Sequence, residues 1–168
     1  MRRIGGLAAL LAVAMPAAGV ADPCPAGVIE QLDGLYRWQL ERQSVPGPTL
    51  IASQLPRFTP GLAVLLQEAT ALTPADGRFV DFDLFSGTQV ETFAAEVERC
   101  TGQSSGAVVA EVAVRAGLRG RTGEAPQQLR YVMEPSPTQG WRIADIVYPG
   151  EPSFLLSTVL KDLLEQRP

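Results

Sequence analysis

The chain is expected to fold as an α+β domain: N-terminal helices packed on a curved antiparallel sheet of about four strands, closed by a C-terminal helix. Three observations carry this expectation. Apolar residues recur with a period of 3.6 in the first half of the chain and with a period of two from residue 91 onward. The segments of period two are joined by short, turn-rich connections, which favours antiparallel pairing. Helices and strands are grouped rather than alternating, which places the helices on one face of the sheet.

The elements follow in order. Residues 25–44 read as a helix whose apolar stripe is Val28, Ile29, Leu32, Leu35, Tyr36 and Leu40; Trp38 points away from it. Val45-Pro46-Gly47-Pro48 stops this helix. A short helical piece over 50–55 ends at Pro56. Thr59-Pro60 then opens another helix, with threonine as cap and proline in the first turn. Its apolar positions are Leu62, Leu65, Leu66 and Ala69, and Thr73-Pro74-Ala75-Asp76-Gly77 is a turn cluster. The segment 79–89, with acidic and apolar residues alternating before Ser86-Gly87, reads as a loop.

Four strands complete the sheet. Phe93, Ala95 and Val97 share one face of the first; Val108, Ala110, Val112 and Val114 share one face of the second. Leu129, Tyr131 and Met133 define the third, and Trp141, Ile143, Asp145 and Val147 the fourth. The connections 101–106, 117–125 and 135–140 are rich in turn residues. Residues 153–165 read as a last amphipathic helix offering Phe154, Leu155, Val159, Leu163 and Leu164 for packing.

Residues 1–21 read as a secretory leader. Arg2 and Arg3 precede an apolar run, and Gly19 and Ala21 occupy the −3 and −1 positions of a cut before Asp22. The run, about 17 residues, is short of the roughly 20 that a membrane span needs, and Pro16 interrupts it. Cys24 follows Pro23, not the small residue that a lipoprotein cut requires. A single domain over 22–168 without a membrane span, periplasmic or secreted, is therefore expected. The chain contains two cysteines, Cys24 and Cys100. In an exported protein an even count predicts one disulfide.

Charge and composition exclude several classes. The net charge is −4, and loss of Arg2 and Arg3 makes it more negative, so a phosphate backbone is repelled and nucleic acid is excluded as a partner. There is no histidine and no Cys-x-x-Cys, which removes zinc patterns and Ser-His-Asp or Cys-His catalysis. No nucleophile elbow, dinucleotide fingerprint or phosphate loop occurs, and no cofactor is implied.

Three phrases carry a resemblance: Leu35-Tyr36-Arg37-Trp38, the loop Asp81-Phe82-Asp83-Leu84-Phe85 with Gln89, and Trp141-Arg142-Ile143-Ala144-Asp145-Ile146-Val147-Tyr148. On them the chain resembles a bacterial family of exported or lipid-anchored proteins, domain of unknown function 3828. Its acidic loop tends to read Asp-Pro-Phe where this chain has Asp83-Leu84-Phe85. The family looks like a branch of the nuclear transport factor 2-like cone fold, whose enzymes include ketosteroid isomerase and scytalone dehydratase. The resemblance implies a cone-shaped fold and no particular reaction.

The residues expected to line a cavity in such a cone are Tyr36, Trp38, Asp81, Asp83, Tyr131, Trp141 and Asp145. Asp145, on an apolar strand face, is either a cavity acid or a strand-end carboxylate bonded to arginine or backbone amides, or turned outward by a bulge. Asp81 and Asp83 either orient a polar ligand, with one as general base, or cap a turn; their spacing matches no complete calcium loop. Tyr36 belongs to the core with its hydroxyl available, and Trp38 packs under the second helix or stands at the mouth.

Three functional readings follow. The first is a non-enzymatic binding or interaction module for a small apolar ligand or an envelope protein. The second is a cofactor-free isomerase, lyase or hydratase with Asp83 or Asp145 as base and Tyr36 or Tyr131 as donor. An envelope immunity-type protein is a third possibility, supported by export alone. The oligomeric state is left open.

Overall fold

The computed structural model describes residues 23–43, 51–72, 80–118, 121–123 and 125–166. The leader reading and the turn clusters at 45–48 and 73–77 lie outside the described residues. The architecture is α+β. Helix α1 (Ala26–Gln43) is followed by a 3-10 turn (Ile51–Arg57) and α2 (Pro60–Ala71). The sheet then runs through β1 (Glu91–Gly102), β2 (Val108–Leu118), β3 (Arg121–Thr122), β4 (Gln127–Ser136), β5 (Gly140–Tyr148) and β6 (Phe154–Leu155), before α3 (Leu156–Glu165). Strand order is β1-β2-β4-β5-β6, with β3 paired to β2, and every pairing within it is antiparallel. The four long strands are those expected; β3 and β6 are two-residue additions.

The core forms where the α1 stripe meets the inward rows of β2 and β4. Val28, Leu32 and Leu35 are fully buried, as are Ala110, Val112, Val114, Leu129, Tyr131 and Met133. Ile29, assigned to the stripe, is exposed, and its place is taken by Gln39, which is fully buried. The angular position is right for the stripe, four residues beyond Leu35, but the residue is polar, so periodicity of apolar residues passes it by.

Three local departures from the expected pattern matter for the site. First, Thr59 precedes α2 in extended conformation but makes no side-chain cap; instead its backbone N–H donates to the Ile143 carbonyl at 2.9 Å, stitching α2 to β5. Second, Phe154 and Leu155 belong to β6, paired with Tyr148 and Val147, and the last helix begins only at Leu156. Phe154 stacks on Tyr148 with centroids 4.8 Å apart, which favours the extended pairing over a further helical turn. Third, β5 carries a bulge. Val132 pairs with Asp145 and Met133 with Ile143, so Ala144 is the extra residue.

The bulge corrects the expected face of β5. Strict alternation would put Trp141, Ile143, Asp145 and Val147 together. The inserted Ala144 shifts the phase, so the buried residues are Ile143, Ile146 and Tyr148, while Asp145 and Val147 are only half-buried. One extra residue in a period of two is enough to exchange the faces.

The first strand also bends twice, at register shifts between Thr92 and Ala94 and between Val97 and Arg99. Its two ends are tied to α1. The Gln43 carboxamide both donates to the Thr92 carbonyl (2.9 Å) and accepts from the Thr92 N–H (2.8 Å), imitating a neighbouring strand. At the other end Cys24, just before α1, is bonded to Cys100, with Cα atoms 5.0 Å apart. The predicted disulfide is thus present.

Candidate functional site: a loop buried between helix and sheet

Four of the expected cavity residues, Tyr36, Trp38, Asp83 and Tyr131, converge around the loop over residues 80–90. Leu84, Phe85 and Ser86 of this loop are buried. Phe85 is stacked on Phe58 and meets Trp38 edge-on, with centroids 6.4 and 5.9 Å away. The loop turns at Gly87, whose positive φ of 66° suits a residue without Cβ. The space between helix and sheet near Tyr36 is therefore occupied by the chain's own Phe85.

Asp83 organises this loop. Its Oδ1 accepts the backbone N–H groups of Phe85 (2.9 Å) and Ser86 (3.0 Å). Its Oδ2 accepts from Gln39 Nε2 (2.7 Å) and from Arg42 Nη2 (2.6 Å), both on α1. Arg42 Nε donates in turn to Gln39 Oε1 (2.8 Å), and the guanidinium lies over Trp38, 5.1 Å from its ring centroid. Both carboxylate oxygens are engaged, by two amides and two side chains. Trp38 packs on the loop, under Arg42, rather than under the second helix. Asp81, two residues before, is exposed.

The chain's three tyrosines, Tyr36, Tyr131 and Tyr148, are all buried, and their hydroxyls serve the same loop. Tyr36 donates to the Phe85 carbonyl (2.9 Å) and Tyr148 to the Leu84 carbonyl (2.8 Å). The Tyr36 and Tyr131 hydroxyls are 2.8 Å apart. Since the single hydroxyl hydrogen of Tyr36 is directed to Phe85, Tyr131 is the donor in that contact. Burial raises all three phenols well above their ordinary range; the hydrogen bond from Tyr131 partly opposes this at Tyr36, and the charge of Asp83 adds to it at each.

This has a measurable consequence at high pH. The unfolded phenols ionise near pH 10 while the folded ones stay protonated, so the folded state holds more protons and stability falls as pH rises above about 10. Each tyrosine contributes roughly 1.4 kcal/mol per pH unit to that fall. Absorbance at 295 nm is expected to rise only with unfolding, in one step. Tyr131→Phe is expected to reduce the slope by one proton; gradual tyrosinate formation in the native protein would contradict the burial.

Asp145 is engaged elsewhere. Its Oδ1 accepts the backbone N–H of Ile146 (2.8 Å) and of Ser157 (3.1 Å), and its Oδ2 accepts a short bond from the Ser157 hydroxyl. Ser157 lies in the first turn of α3, whose N-cap residue Leu155 has no side chain able to cap. The carboxylate from β5 thus caps α3 from outside the helix, where the free N–H groups and the dipole favour negative charge. Asp145→Ala is expected to cost about 1–2 kcal/mol in urea unfolding. No change in the urea midpoint would show that the cap is idle.

Trp141 is half-buried against the first turn of α1: a Cβ on Gly27 would meet its Cδ1 at 2.7 Å. The expected residues therefore divide into Tyr36, Trp38, Asp83 and Tyr131, which meet at the loop, Asp81, which is exposed on it, and Asp145 and Trp141, which lie apart from it. Gln39, Arg42 and Ser157, which complete these networks, escape sequence reasoning. Gln39 and Arg42 are one turn apart on α1, but their shared partner lies some 40 residues away. Among the described residues no group of three or more metal-ligating side chains occurs.

The outer side of the sheet carries a half-open groove of about 580 Å³. Glu98, Glu111, Gln128, Arg130, Pro149 and Gly150 are among the residues that line it. Glu111 is held by a two-pronged bond from Arg99 Nη2 at 2.7 and 2.8 Å. No helix among the described residues is long and apolar enough to cross a membrane. No family model, curated protein or solved structure matches the chain.

Proposed function

We propose that the protein is an exported, non-enzymatic binding or interaction module of the envelope, acting through its surface. The observation that carries this reading is the engagement of the acid–base groups. Asp83 and Asp145 each spend both carboxylate oxygens on loop or helix amides and neighbouring side chains. Tyr36 and Tyr148 spend their protons on loop carbonyls. A general base needs a free lone pair beside space for a substrate. Beside Asp83 that space is filled by Phe85.

The resemblance to the domain of unknown function and its cone fold agrees with export and with a carrier of many purposes. The polar lining of the outer groove favours a polar ligand or a protein segment over the small apolar ligand that the sequence suggested, and its volume suits a small molecule. Native mass spectrometry of the protein taken from its own host's envelope tests the reading. A non-covalent adduct lost on denaturation is expected. Turnover of a compound from envelope extract that stops in Asp83→Asn and survives in Asp145→Asn, with both variants folded, would replace this reading by the cofactor-free enzyme.

A further inference from the structure

Arg37, Arg57 and Arg142 lie near one another, and none of them forms an ion pair among the described residues. Phe58 and Ile143 form a parallel bridge and both bury their side chains. The residues one step earlier, Arg57 at the end of the 3-10 turn and Arg142 on β5, are therefore neighbours, and both side chains are partly exposed. The Arg57 guanidinium rests against α1 at Gly34: a Cβ there would meet Nη2 at 2.5 Å and Nη1 at 2.6 Å. Arg37 follows Gly34 by three residues and so shares its side of the helix.

Neutral acceptors hold these groups without neutralising them. Arg57 Nε donates to Gln54 Oε1 (2.7 Å), and its Nη1 to the carbonyl and Oε1 of Gln31 (3.3 and 3.1 Å). Arg142 Nε donates to Gln139 Oε1 (3.2 Å) and Nη1 to the Trp141 carbonyl (3.0 Å). Among the described residues, Nη2 of both arginines and the whole Arg37 guanidinium have no partner. Glu30 and Asp33 lie on the same helix as Arg37, and Glu134 pairs in register with Arg142. None of these acids comes within ion-pair distance; the ion pairs among the described residues are Arg42–Asp83 and Arg99–Glu111. Desolvation, then repulsion from Arg37 and Arg142, lowers the pKa of Arg57, with Glu30 opposing. Three like charges gathered in an acidic chain repel one another until an anion arrives.

We propose that Arg37, Arg57 and Arg142 receive a phosphate-type oxyanion carried by a ligand. A planar carboxylate is met by one guanidinium edge. Free donors from three guanidinium groups suit an anion with several oxygens and more than one charge. Arg57, oriented by two glutamines and seated on Gly34, is the preorganised donor. This goes beyond the binding-module reading and stands without it, so its failure leaves that reading to its own test.

The test is a titration of the disulfide-bonded protein with inorganic phosphate, against chloride at matched ionic strength, followed by the ¹⁵N-detected arginine Nε–H signals. Saturable shifts at Arg57 and Arg142 are expected. Arg57→Gln is expected to weaken binding roughly tenfold or more, the loss of one charged hydrogen-bond donor, and Arg37→Gln severalfold. Gly34→Ala keeps every charge but displaces the Arg57 guanidinium, and should also weaken binding; as an alanine in a helix it should not impair folding. Arg37 makes no hydrogen bond among the described residues, so Arg37→Gln remains informative if Arg57→Gln unfolds. Shifts no larger than those with chloride, or equal affinity in Arg37→Gln and the parent, would overturn the proposal. In a second arm, capture by phosphatidylglycerol vesicles but not phosphatidylcholine vesicles, lost in Arg37→Gln, assigns the phosphate to a lipid headgroup. Saturable phosphate binding without vesicle capture assigns it to a free phosphate compound.

Discussion

Replacing Cys24 and Cys100 together by serine is expected to lower the unfolding free energy by about 4 kcal/mol. The bridge closes a loop of 76 residues. Opening so long a loop returns entropy to the unfolded chain, and that term grows only slowly with length, so the figure is insensitive to exact loop size. The bridge also fixes the segment before α1 to the far end of β1, while Gln43 holds the near end. Urea unfolding of the double variant and the oxidised parent measures the difference. A loss below about 1 kcal/mol would mean that the unfolded chain is already compact enough to make the constraint redundant.

The second large effect is expected at Asp83. Asp83→Ala removes the acceptor of Gln39 Nε2 and of the backbone N–H of Phe85, and the ion-pair partner of Arg42; Gln39 is fully buried. Leaving buried or half-buried donors unpaired costs about 3 kcal/mol in all. Asp83→Asn is expected to be nearly as harmful. If its oxygen keeps the two backbone amides, its NH₂ faces Gln39 Nε2 and Arg42 Nη2, donor against donor. Trp38 reports the outcome directly, because it packs between Phe85 and Arg42. Its fluorescence should change in both variants under native conditions, and the urea midpoint should fall. A stable Asp83→Asn with unaltered fluorescence would show that shape alone, without the charge, holds the loop.

The order of elements was legible because it depends on local periodicity. Alternation in β2 and β4 needs no knowledge of neighbours: Val108, Ala110, Val112, Val114, Leu129, Tyr131 and Met133 all lie on the buried face as read. The disulfide was legible from cysteine parity together with the expectation of export. Asp145 was not, because a single unpaired residue, Ala144, reverses the face of everything after it, and nothing in the run from Trp141 to Tyr148 marks where a bulge falls. The spacing of Phe154 and Leu155 fits a helix, but pairing with β5 and the stacking of Phe154 on Tyr148 hold them extended.

The site was less legible than the fold for the same reason. Tyr36, Trp38, Asp83 and Tyr131 were picked out as chemically capable and do converge, but their partners decide their role. A carboxylate with free lone pairs is a base; the same carboxylate holding two amides, a glutamine and an arginine is a strut. Arg57 drew no notice in the sequence, since its meaning comes from standing beside Arg142 across a bridge between segments some 85 residues apart.

From the sequence alone came the α+β class, the order of the long elements, the inward rows of β2 and β4, and the cysteine pair, because each follows from short-range spacing or from counting. Only the tertiary structure decided that the loop fills the space between helix and sheet, that Asp145 caps α3, that β5 changes face, and that three arginines lie together without an ion pair. Each of those turns on which distant groups come within hydrogen-bonding or Coulombic reach, and that is settled when the helices close on the sheet.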